Sequence, residues 1–188
     1  MNLIIFGPPG AGKGTQADFI VNKFNLYKLS TGEVLRNEIN NKTELGEKIS
    51  SIINSGSFVS DDIVKKLVEN FISDNKYKDR LIFDGYPRNL NQAKTLKELL
   101  NKYQQKIDLV LQLSVSLDTI KKRILERQTL EKRADDSEEI AIKRYKTYEK
   151  STEPVIEFYK KLNLLKVIDG ERSIDQINKE ISDIITLI

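Results

Sequence analysis

The glycine-rich stretch at residues 7–15 contains the residue types that could bind phosphate. It reads Gly-Pro-Pro-Gly-Ala-Gly-Lys-Gly-Thr, with a short apolar run before it at residues 3–6 and a helical pattern after it. Gly10 and Gly12 allow the backbone to approach phosphate oxygens closely, and Lys13 can add a full positive charge. The first turn of a helix has unpaired N–H groups, and its dipole favours anions. The sequence therefore predicts a phosphate-binding loop between a buried strand and a helix.

This loop departs from the general nucleotide-loop pattern G-x-x-x-x-G-K-[ST] at one position. Gly14 stands where Ser or Thr normally offers a hydroxyl to Mg²⁺, and the first hydroxyl comes one residue later, at Thr15. The alternative interpretation is an ordinary strand-to-helix turn with an exposed lysine. The strand context, the spaced glycines and the lysine together favour the phosphate-binding loop.

A carboxylate and an arginine follow a second apolar run, at residues 80–84. Asp84 ends that predicted strand, and Arg88 closes the loop after it. Ligands of open parallel sheets bind outside the carboxyl ends of the strands, so we expect both residues beside the phosphate-binding loop. A carboxylate there can hold Mg²⁺ through water. The alternative is that Asp84 only satisfies nearby backbone N–H groups.

Arginine is scarce in this lysine-rich chain, with eight Arg among 31 cationic residues. A position that keeps Arg can require its planar fork for phosphate. Arg123 and Arg127 are spaced i, i+4 on a predicted helix and therefore share a face. They could form a solvated surface, or they could converge on a triphosphate. The remaining six are Arg36, Arg80, Arg88, Arg133, Arg144 and Arg172.

Composition excludes several classes of site and partner. The chain has 188 residues, no Cys and no His, so it has no thiolate metal site and no histidine general base. Its net charge of +3 is too small to indicate a nucleic-acid partner. We see no signal peptide and no apolar run of 18 residues, so we expect no membrane association and a cytoplasmic location. Nothing demands more than a monomer.

Five apolar runs alternate with helical patterns, which predicts an α/β fold with a parallel sheet covered on both faces. Residues 30–59 are helical and lie between the second and third of these strands, like an inserted lobe. Ser30 and Glu33 have the spacing of a capping box. We expect residues 128–134 to form a short polar connection and Pro154 to kink or break the long helix that contains it.

Several motifs together resemble the adenylate kinase family, in order along essentially the whole chain. Residues 7–16 match the family's loop, which itself reads Gly-Lys-Gly-Thr and so accounts for Gly14. Residues 29–36 read Leu-Ser-Thr-Gly-Glu-Val-Leu-Arg, and residues 83–89 read Phe-Asp-Gly-Tyr-Pro-Arg-Asn. The same order continues with Arg123-x-x-x-Arg127, Arg133-x-Asp135-Asp136 and Arg144.

The resemblance implies reversible, Mg²⁺-dependent phosphoryl transfer from ATP to AMP, giving two ADP. It implies a P-loop NTPase-type, five-stranded parallel sheet with helices on both faces. The core would comprise residues 1–29, 60–126 and 135–188, with an AMP-binding lobe at 30–59 and a short lid at 127–134. Many bacterial members have a longer lid, sometimes built around zinc; this chain resembles the short-lid form without zinc.

The resemblance also implies a set of site residues. The ATP side would contain Gly10, Ala11, Gly12, Lys13, Gly14, Thr15, Arg123, Arg127 and Arg172. The AMP side would contain Thr31, Arg36, Ser57, Phe58, Val59, Gly85, Tyr86, Pro87, Arg88, Gln92, Arg133 and Arg144. The transferring group would meet Lys13, Asp84, Arg88, Arg123, Arg133 and Arg144, with Asp84 holding Mg²⁺ through water.

Two other functions remain open at this point. A related UMP/CMP kinase usually shows Ser-Ala-Gly at 30–32 and Asn near 92, so Thr31 and Gln92 favour AMP. Both residues could instead serve as helix caps. A nucleotide-dependent switch that is not a kinase would explain the loop but not the arginines.

Overall fold

The computed structural model describes residues 1–131 and 137–188. The strands are β1 (Leu3–Phe6), β2 (Tyr27–Ser30), β3 (Leu81–Asp84), β4 (Leu109–Ser114) and β5 (Leu165–Asp169). The helices are α1 (Lys13–Phe24), α2 (Thr31–Asn40), α3 (Glu44–Asn54), α4 (Asp61–Ser73), α5 (Leu90–Lys102), α6 (Leu117–Glu131), α7 (Glu138–Lys161) and α8 (Ile174–Thr186). A 3₁₀ turn covers Asn75–Tyr77. None of the helices in these two ranges is long and apolar enough to cross a membrane.

All five strands are parallel and form one sheet in the order β2-β3-β1-β4-β5. In the register, Asp84 lies opposite both Ile5 and Ser30, and Phe6 lies opposite Gln112. The carboxyl ends of β2, β3 and β1 therefore meet at one edge. The predicted five-stranded parallel sheet is confirmed.

The central strand β1 is buried on both faces, as a parallel sheet requires. Leu3 and Ile5 pack into a core with α1 and α8, whereas Ile4 and Phe6 pack into a core with α4, α5 and α7. All four side chains are at most 3% exposed. Packing on both faces of the sheet restrains the carboxyl end of β1. The glycine-rich loop therefore starts from a rigid position.

Three helix starts have side-chain caps. Asn89 accepts a hydrogen bond from the Gln92 N–H (2.8 Å), and Ser137 accepts one from Ile140. Ser173 and Gln176 form a complete capping box at α8. These caps depend on residues within one turn, so local sequence predicts them.

The capping box predicted at Ser30 is wrong, although α2 does begin there. The Ser30 side chain accepts no capping hydrogen bond. Glu33, its expected partner, instead receives the Lys28 ammonium at 3.0 Å. Glu33 thus forms an ion pair with Lys28 of β2 in place of the predicted hydrogen bond to the Ser30 N–H.

The polar connection predicted at residues 128–134 does not begin at residue 128. Helix α6 continues to Glu131, so residues 128–131 are helical and not a polar connection. This stretch has no Gly or Pro to end the helix, and the Thr129 hydroxyl donates to the Leu125 carbonyl within it. The remainder of the predicted lid, including Arg133, lies outside the described residues.

Helix α7 runs through Pro154 without a break. A proline inside a helix costs about 3 kcal/mol because it removes a hydrogen bond and crowds the preceding turn. Val155, Ile156 and Tyr159 follow it directly, and each is at most 5% exposed. Their burial in the core offsets the local cost and keeps the helix continuous.

Helices α2 and α3 form the helical insertion between β2 and α4, and they touch at Gly46. A Cβ at Gly46 would lie 2.1 Å from the Glu38 carbonyl oxygen. Its N–H donates to the Thr43 side chain, which begins α3. Glycine therefore permits two backbones to approach more closely than any other residue would.

Gly46→Ala should destabilise the protein although alanine has the higher helix propensity. The propensity gain of about 1 kcal/mol is smaller than the 1–3 kcal/mol that backbone displacement typically costs. Because the contact is as short as 2.1 Å and is to backbone, we expect the upper end of that cost, a net loss of about 2 kcal/mol. The melting temperature should then be lower by roughly 4–8 °C, from about 2–4 °C per kcal/mol for a chain of this size. Ser51→Ala, at an exposed position of α3, is the matched control and should not lower it. An unchanged melting temperature for Gly46→Ala would contradict the close backbone contact.

Candidate active site

The glycine-rich loop has a backbone that only glycine adopts easily at two positions. Gly10 and Gly12 have φ angles of 82° and 92°, and Gly12 is the residue before α1. A Cβ on Gly10 would also lie 3.0 Å from the Ile124 side chain. These turns carry the chain from the end of β1 into the first turn of α1, where backbone N–H groups can bind an anion.

Lys13 is the first residue of α1, and its ammonium folds back over the loop. Its Nζ donates to the carbonyls of Gly7 (2.8 Å) and Pro8 (3.0 Å). Burial, together with Arg144, Arg88 and Arg127, lowers the pKa of Lys13 to about 8, although the Asp84 carboxylate acts in the opposite direction. The three arginines and Asp84, all predicted site residues, are therefore close enough to Lys13 to influence its charge.

Two cavities open at the carboxyl edge of the sheet and meet at this charged group. The first, called here the inner cavity, is bounded by α2, the end of α3 and the β3–α5 loop. The second, called here the loop cavity, is bounded by the glycine-rich loop and α6. Lys13, Arg36, Arg88 and Arg144 line both. A ligand in either cavity would meet the same cations.

The inner cavity brings together most of the residues predicted for AMP. It contains Thr31, Arg36, Ser57, Phe58, Val59, Gly85, Pro87, Arg88, Gln92 and Arg144. Tyr86 is not in its wall; it is 1% exposed, and its hydroxyl donates to the Gln92 carbonyl. Sequence reasoning missed the apolar part of the wall, formed by Leu35, Ile53, Val64 and Tyr148. Helical spacing of apolar residues was the available signal, but it cannot distinguish a cavity wall from core.

Arg88 is held by neighbours on three sides. Its Nε donates to the Gly85 carbonyl at 2.7 Å, and its guanidinium lies 5.1 Å from the centre of the Phe58 ring. The Thr152 hydroxyl of α7 donates to the Arg88 carbonyl at 3.0 Å. Thr31 donates to the same Gly85 carbonyl at 3.0 Å. The guanidinium is thus oriented before any ligand arrives.

Gln92 lies deep in the inner cavity wall and is 3% exposed. Its Oε1 accepts from the Arg88 backbone N–H at 2.7 Å, and its Nε2 donates to Asp61 at 2.7 Å. A capping box would instead require its side chain to accept from the Asn89 N–H. The side chain therefore makes two long-range contacts and not the local one considered from sequence.

The loop cavity contains the predicted residues Gly10, Gly12, Lys13, Gly14, Thr15, Asp84, Arg123 and Arg127. Arg123 joins two parts of the site, because its guanidinium donates to the carbonyls of Ala11 (3.4 Å) and Gly170 (2.9 Å). Arg172 does not reach either cavity wall. It forms ion pairs with Asp169 and with Glu180 of α8.

Glu171 is a supporting residue that sequence reasoning missed. Its carboxylate accepts from the Ser116 N–H (2.6 Å) and from the Thr119 hydroxyl (2.7 Å), at the start of α6. These hydrogen bonds lower the pKa of Glu171 to about 2. Helix α6 carries Arg123 and Arg127, so Glu171 holds the helix that presents them. The two segments are about fifty residues apart, and no local pattern joins them.

Asp84 has the chemistry to assist Mg²⁺ but not to cage it. It is 8% exposed and lines the loop cavity beside Lys13. Within residues 1–131 and 137–188, His, Cys, Asp and Glu side chains nowhere group in threes as metal ligands. Mg²⁺ usually keeps several waters and binds through one or two carboxylates plus substrate phosphates. The site therefore fits Mg²⁺ that arrives with a nucleotide.

Comparison with known proteins gives consistent matches across this chain. The family model described as adenylate kinase matches residues 5–164. An adenylate kinase of Pelagibacter ubique is 47% identical over 211 aligned positions, which cover 98% of this chain and 99% of the relative. One from Prochlorococcus marinus is 43% identical, with 96% of each chain covered. One from Petrotoga mobilis is 38% identical, with 98% of this chain and 97% of the relative covered. The chain belongs to the adenylate kinase family.

Proposed function

We propose that this protein catalyses the reversible, Mg²⁺-dependent transfer of a phosphoryl group from ATP to AMP, giving two ADP. The observation that carries this proposal is the meeting of two cavities at Lys13, Arg88 and Arg144. A phosphoryl transferase with two nucleotide substrates needs two sites that share one charged centre. A nucleotide switch needs only one of them.

The two cavities differ in a way that supports one arrangement of the substrates. The loop cavity has the glycine-rich backbone and two arginines of α6, which suit the chain of phosphates in ATP. The inner cavity combines apolar side chains with Thr31 and Gln92, which suit a nucleoside. The single phosphate of a nucleoside monophosphate bound there would face Arg36 and Arg88. We therefore propose that AMP binds in the inner cavity and ATP in the loop cavity.

The reaction needs positioning and charge neutralisation and no general base. An AMP phosphate oxygen, already anionic, forms a bond to the γ-phosphorus of ATP while the bond to the β–γ bridging oxygen breaks. Lys13 and the arginines stabilise the charge spread over the transferring group. Mg²⁺ bound to the triphosphate would supply further neutralisation, with Asp84 holding it through water. The absence of His from the chain is compatible with this chemistry.

Water must be kept from the transferring group, because it can accept the phosphoryl in place of AMP. Lys143 at the start of α7 donates to the Ser55 carbonyl at the end of α3, at 2.7 Å. This contact joins the helical insertion to the helix that carries Arg144. We propose that residues 30–59 act as the AMP-binding lobe and 127–134 as the short lid. The monomeric state, the cytoplasmic location and the lack of zinc stay predictions.

A coupled assay with ATP and each nucleoside monophosphate tests the function directly. We expect ADP formation with AMP and much lower kcat/KM with UMP and CMP, because the inner cavity wall contains Thr31 and Gln92, the residues that favour AMP by the family resemblance. Activity should disappear when Mg²⁺ is chelated. A preference for UMP or CMP would favour the related pyrimidine kinase. Slow ATP hydrolysis that no monophosphate stimulates would favour the switch.

Lys13→Met should reduce kcat by roughly 10²–10³-fold, the usual effect of losing one preorganised charge donor. Turnover is measured beside circular dichroism, because the ammonium also holds the Gly7 and Pro8 carbonyls. A folded variant that keeps half its activity would remove Lys13 from the mechanism.

Proton uptake gives a second readout of the same group. Because the pKa of Lys13 is about 8 without ligand, the side chain is mostly neutral at pH 9. Phosphate anions favour the ammonium form and raise this pKa, so ATP binding at pH 9 should take up about one proton. Calorimetry in buffers of different ionisation enthalpy measures this uptake. Equal uptake by Lys13→Met would assign the proton to another group.

Arg144→Ala should lower kcat far more than it raises the KM for AMP, because Arg144 lines both cavities at their junction. We expect a loss of kcat of roughly 10²-fold or more. Arg133→Ala should show the same loss of kcat if Arg133 also contacts the transferring phosphoryl group. Lys146→Ala, at an exposed position on α7, is the matched control and should leave both constants unchanged. A raised KM at constant kcat would instead make Arg144 a ground-state binder.

A further inference from the structure

Asp61, at the first turn of α4, lies behind the inner cavity and is absent from its wall. Three side-chain amides donate to its carboxylate: Asn89 at 3.2 Å, Asn91 at 2.8 Å and Gln92 at 2.7 Å. Asn89 and Asn91 flank the start of α5 and are not in either cavity wall. Gln92 is the member of this group that reaches the cavity.

The two contacts of the Gln92 side chain define the orientation of its amide. On one side, the Arg88 backbone N–H can only donate, so Oε1 must face it. On the other side, an ionised carboxylate can only accept, so Nε2 must face Asp61. Turning the amide over would lose both hydrogen bonds and would place a carbonyl oxygen against a carboxylate.

Asp61 keeps its charge in this setting. Burial alone would raise the pKa of its carboxyl, but the hydrogen bonds from Asn91, Gln92 and Asn89 outweigh burial and hold the pKa below its ordinary value. The carboxylate is therefore an obligate acceptor at neutral pH.

We propose that Asp61 is a positioning residue that sets the order of donor and acceptor which Gln92 offers to a base, and that it thereby selects a 6-amino purine over a 6-oxo purine. The inference rests on the proposed phosphorylation of AMP in the inner cavity. Each terminal atom of Gln92 keeps one hydrogen-bonding position beyond its protein contact: a lone pair on Oε1 and an N–H on Nε2. Adenine requires this pair, because its 6-amino group donates and its N1 accepts.

Hypoxanthine, the base of IMP, has nearly the same shape but the opposite order, since its O6 accepts and its N1–H donates. With the amide held by Asp61, IMP would place acceptor against acceptor and donor against donor. The same order distinguishes the two pyrimidines: cytosine presents a donor and an acceptor in the adenine order, whereas uracil reverses them. Asp61 therefore acts against IMP and UMP and contributes nothing against CMP.

The test is Asp61→Asn, assayed for kcat/KM with AMP and with IMP. Asparagine has the same shape as aspartate, but its side chain can donate to a turned Gln92 amide as well as accept from the native one. Arg88 still favours the native orientation, so we expect the AMP:IMP ratio of kcat/KM to fall by about tenfold, the effect of roughly one hydrogen bond. The AMP:UMP ratio should fall with it, whereas the AMP:CMP ratio should not.

Asp62→Asn is the matched control. Asp62 is the adjacent carboxylate in the same turn of α4 and is exposed, so the substitution removes the same charge from the same helix end. It should leave all three ratios unchanged. Asp61→Ser, with a short side chain that can donate or accept, provides the same measurement if Asp61→Asn does not fold.

The outcomes separate this inference from the proposed function. Equal losses with AMP and IMP in Asp61→Asn, with a lowered melting temperature, would reduce Asp61 to a structural residue and overturn the inference. A fall in the AMP:IMP ratio in Gln92→Ala but not in Asp61→Asn would also overturn it while keeping Gln92 as the reader of the base. No change in Gln92→Ala would overturn both assignments. Absence of ADP formation from ATP and AMP in the wild type would reject the proposed function itself.

Discussion

The concentration of positive charge around Lys13 is the constraint on which the rest of the site depends. Arg88, Arg127 and Arg144 each disfavour the charged form of this lysine, and within this group Asp84 opposes them. Such an arrangement is costly in a folded protein unless the surrounding structure holds it. The same electrostatic cost is what makes the site attractive to phosphate, because bound anions relieve the repulsion. Stability and ligand binding are therefore linked through one group of side chains.

The sheet supplies the rigidity that this arrangement needs. Parallel pairing places Ser30, Asp84 and the end of β1 side by side at one edge, and both faces of the sheet are packed. The glycine-rich loop leaves that edge through two left-handed turns and enters α1 at Lys13. Preorganisation of this kind is effective because charge is stabilised without movement of the protein at the moment of reaction.

Polar residues on other elements hold the groups that face the cavities. Thr152 binds the backbone of Arg88, Glu171 holds the start of α6, and Asp61 orients Gln92. These residues lie on α7, on the turn before α8 and on α4, and none of them is near its partner in sequence. In each case a hydrogen bond from an element distant in sequence restrains the group that it contacts. The precision of the site thus depends on contacts between elements that only folding brings together.

The amino-acid sequence by itself determined the features that depend on neighbours along the chain. The apolar runs identified the five strands, the glycine spacing with Lys13 identified the loop between β1 and α1, and Asn89, Ser137 and Ser173 cap three helices through contacts within one turn. The tertiary structure decided the rest. The burial of Tyr159 and its neighbours kept α7 continuous through Pro154. The pairing of Asp61 with Gln92 and of Glu171 with α6 joins residues 31 and about fifty positions apart. Sequence patterns report contacts within a turn or a strand, whereas these pairings exist only because packing of distant elements brings a donor and an acceptor together.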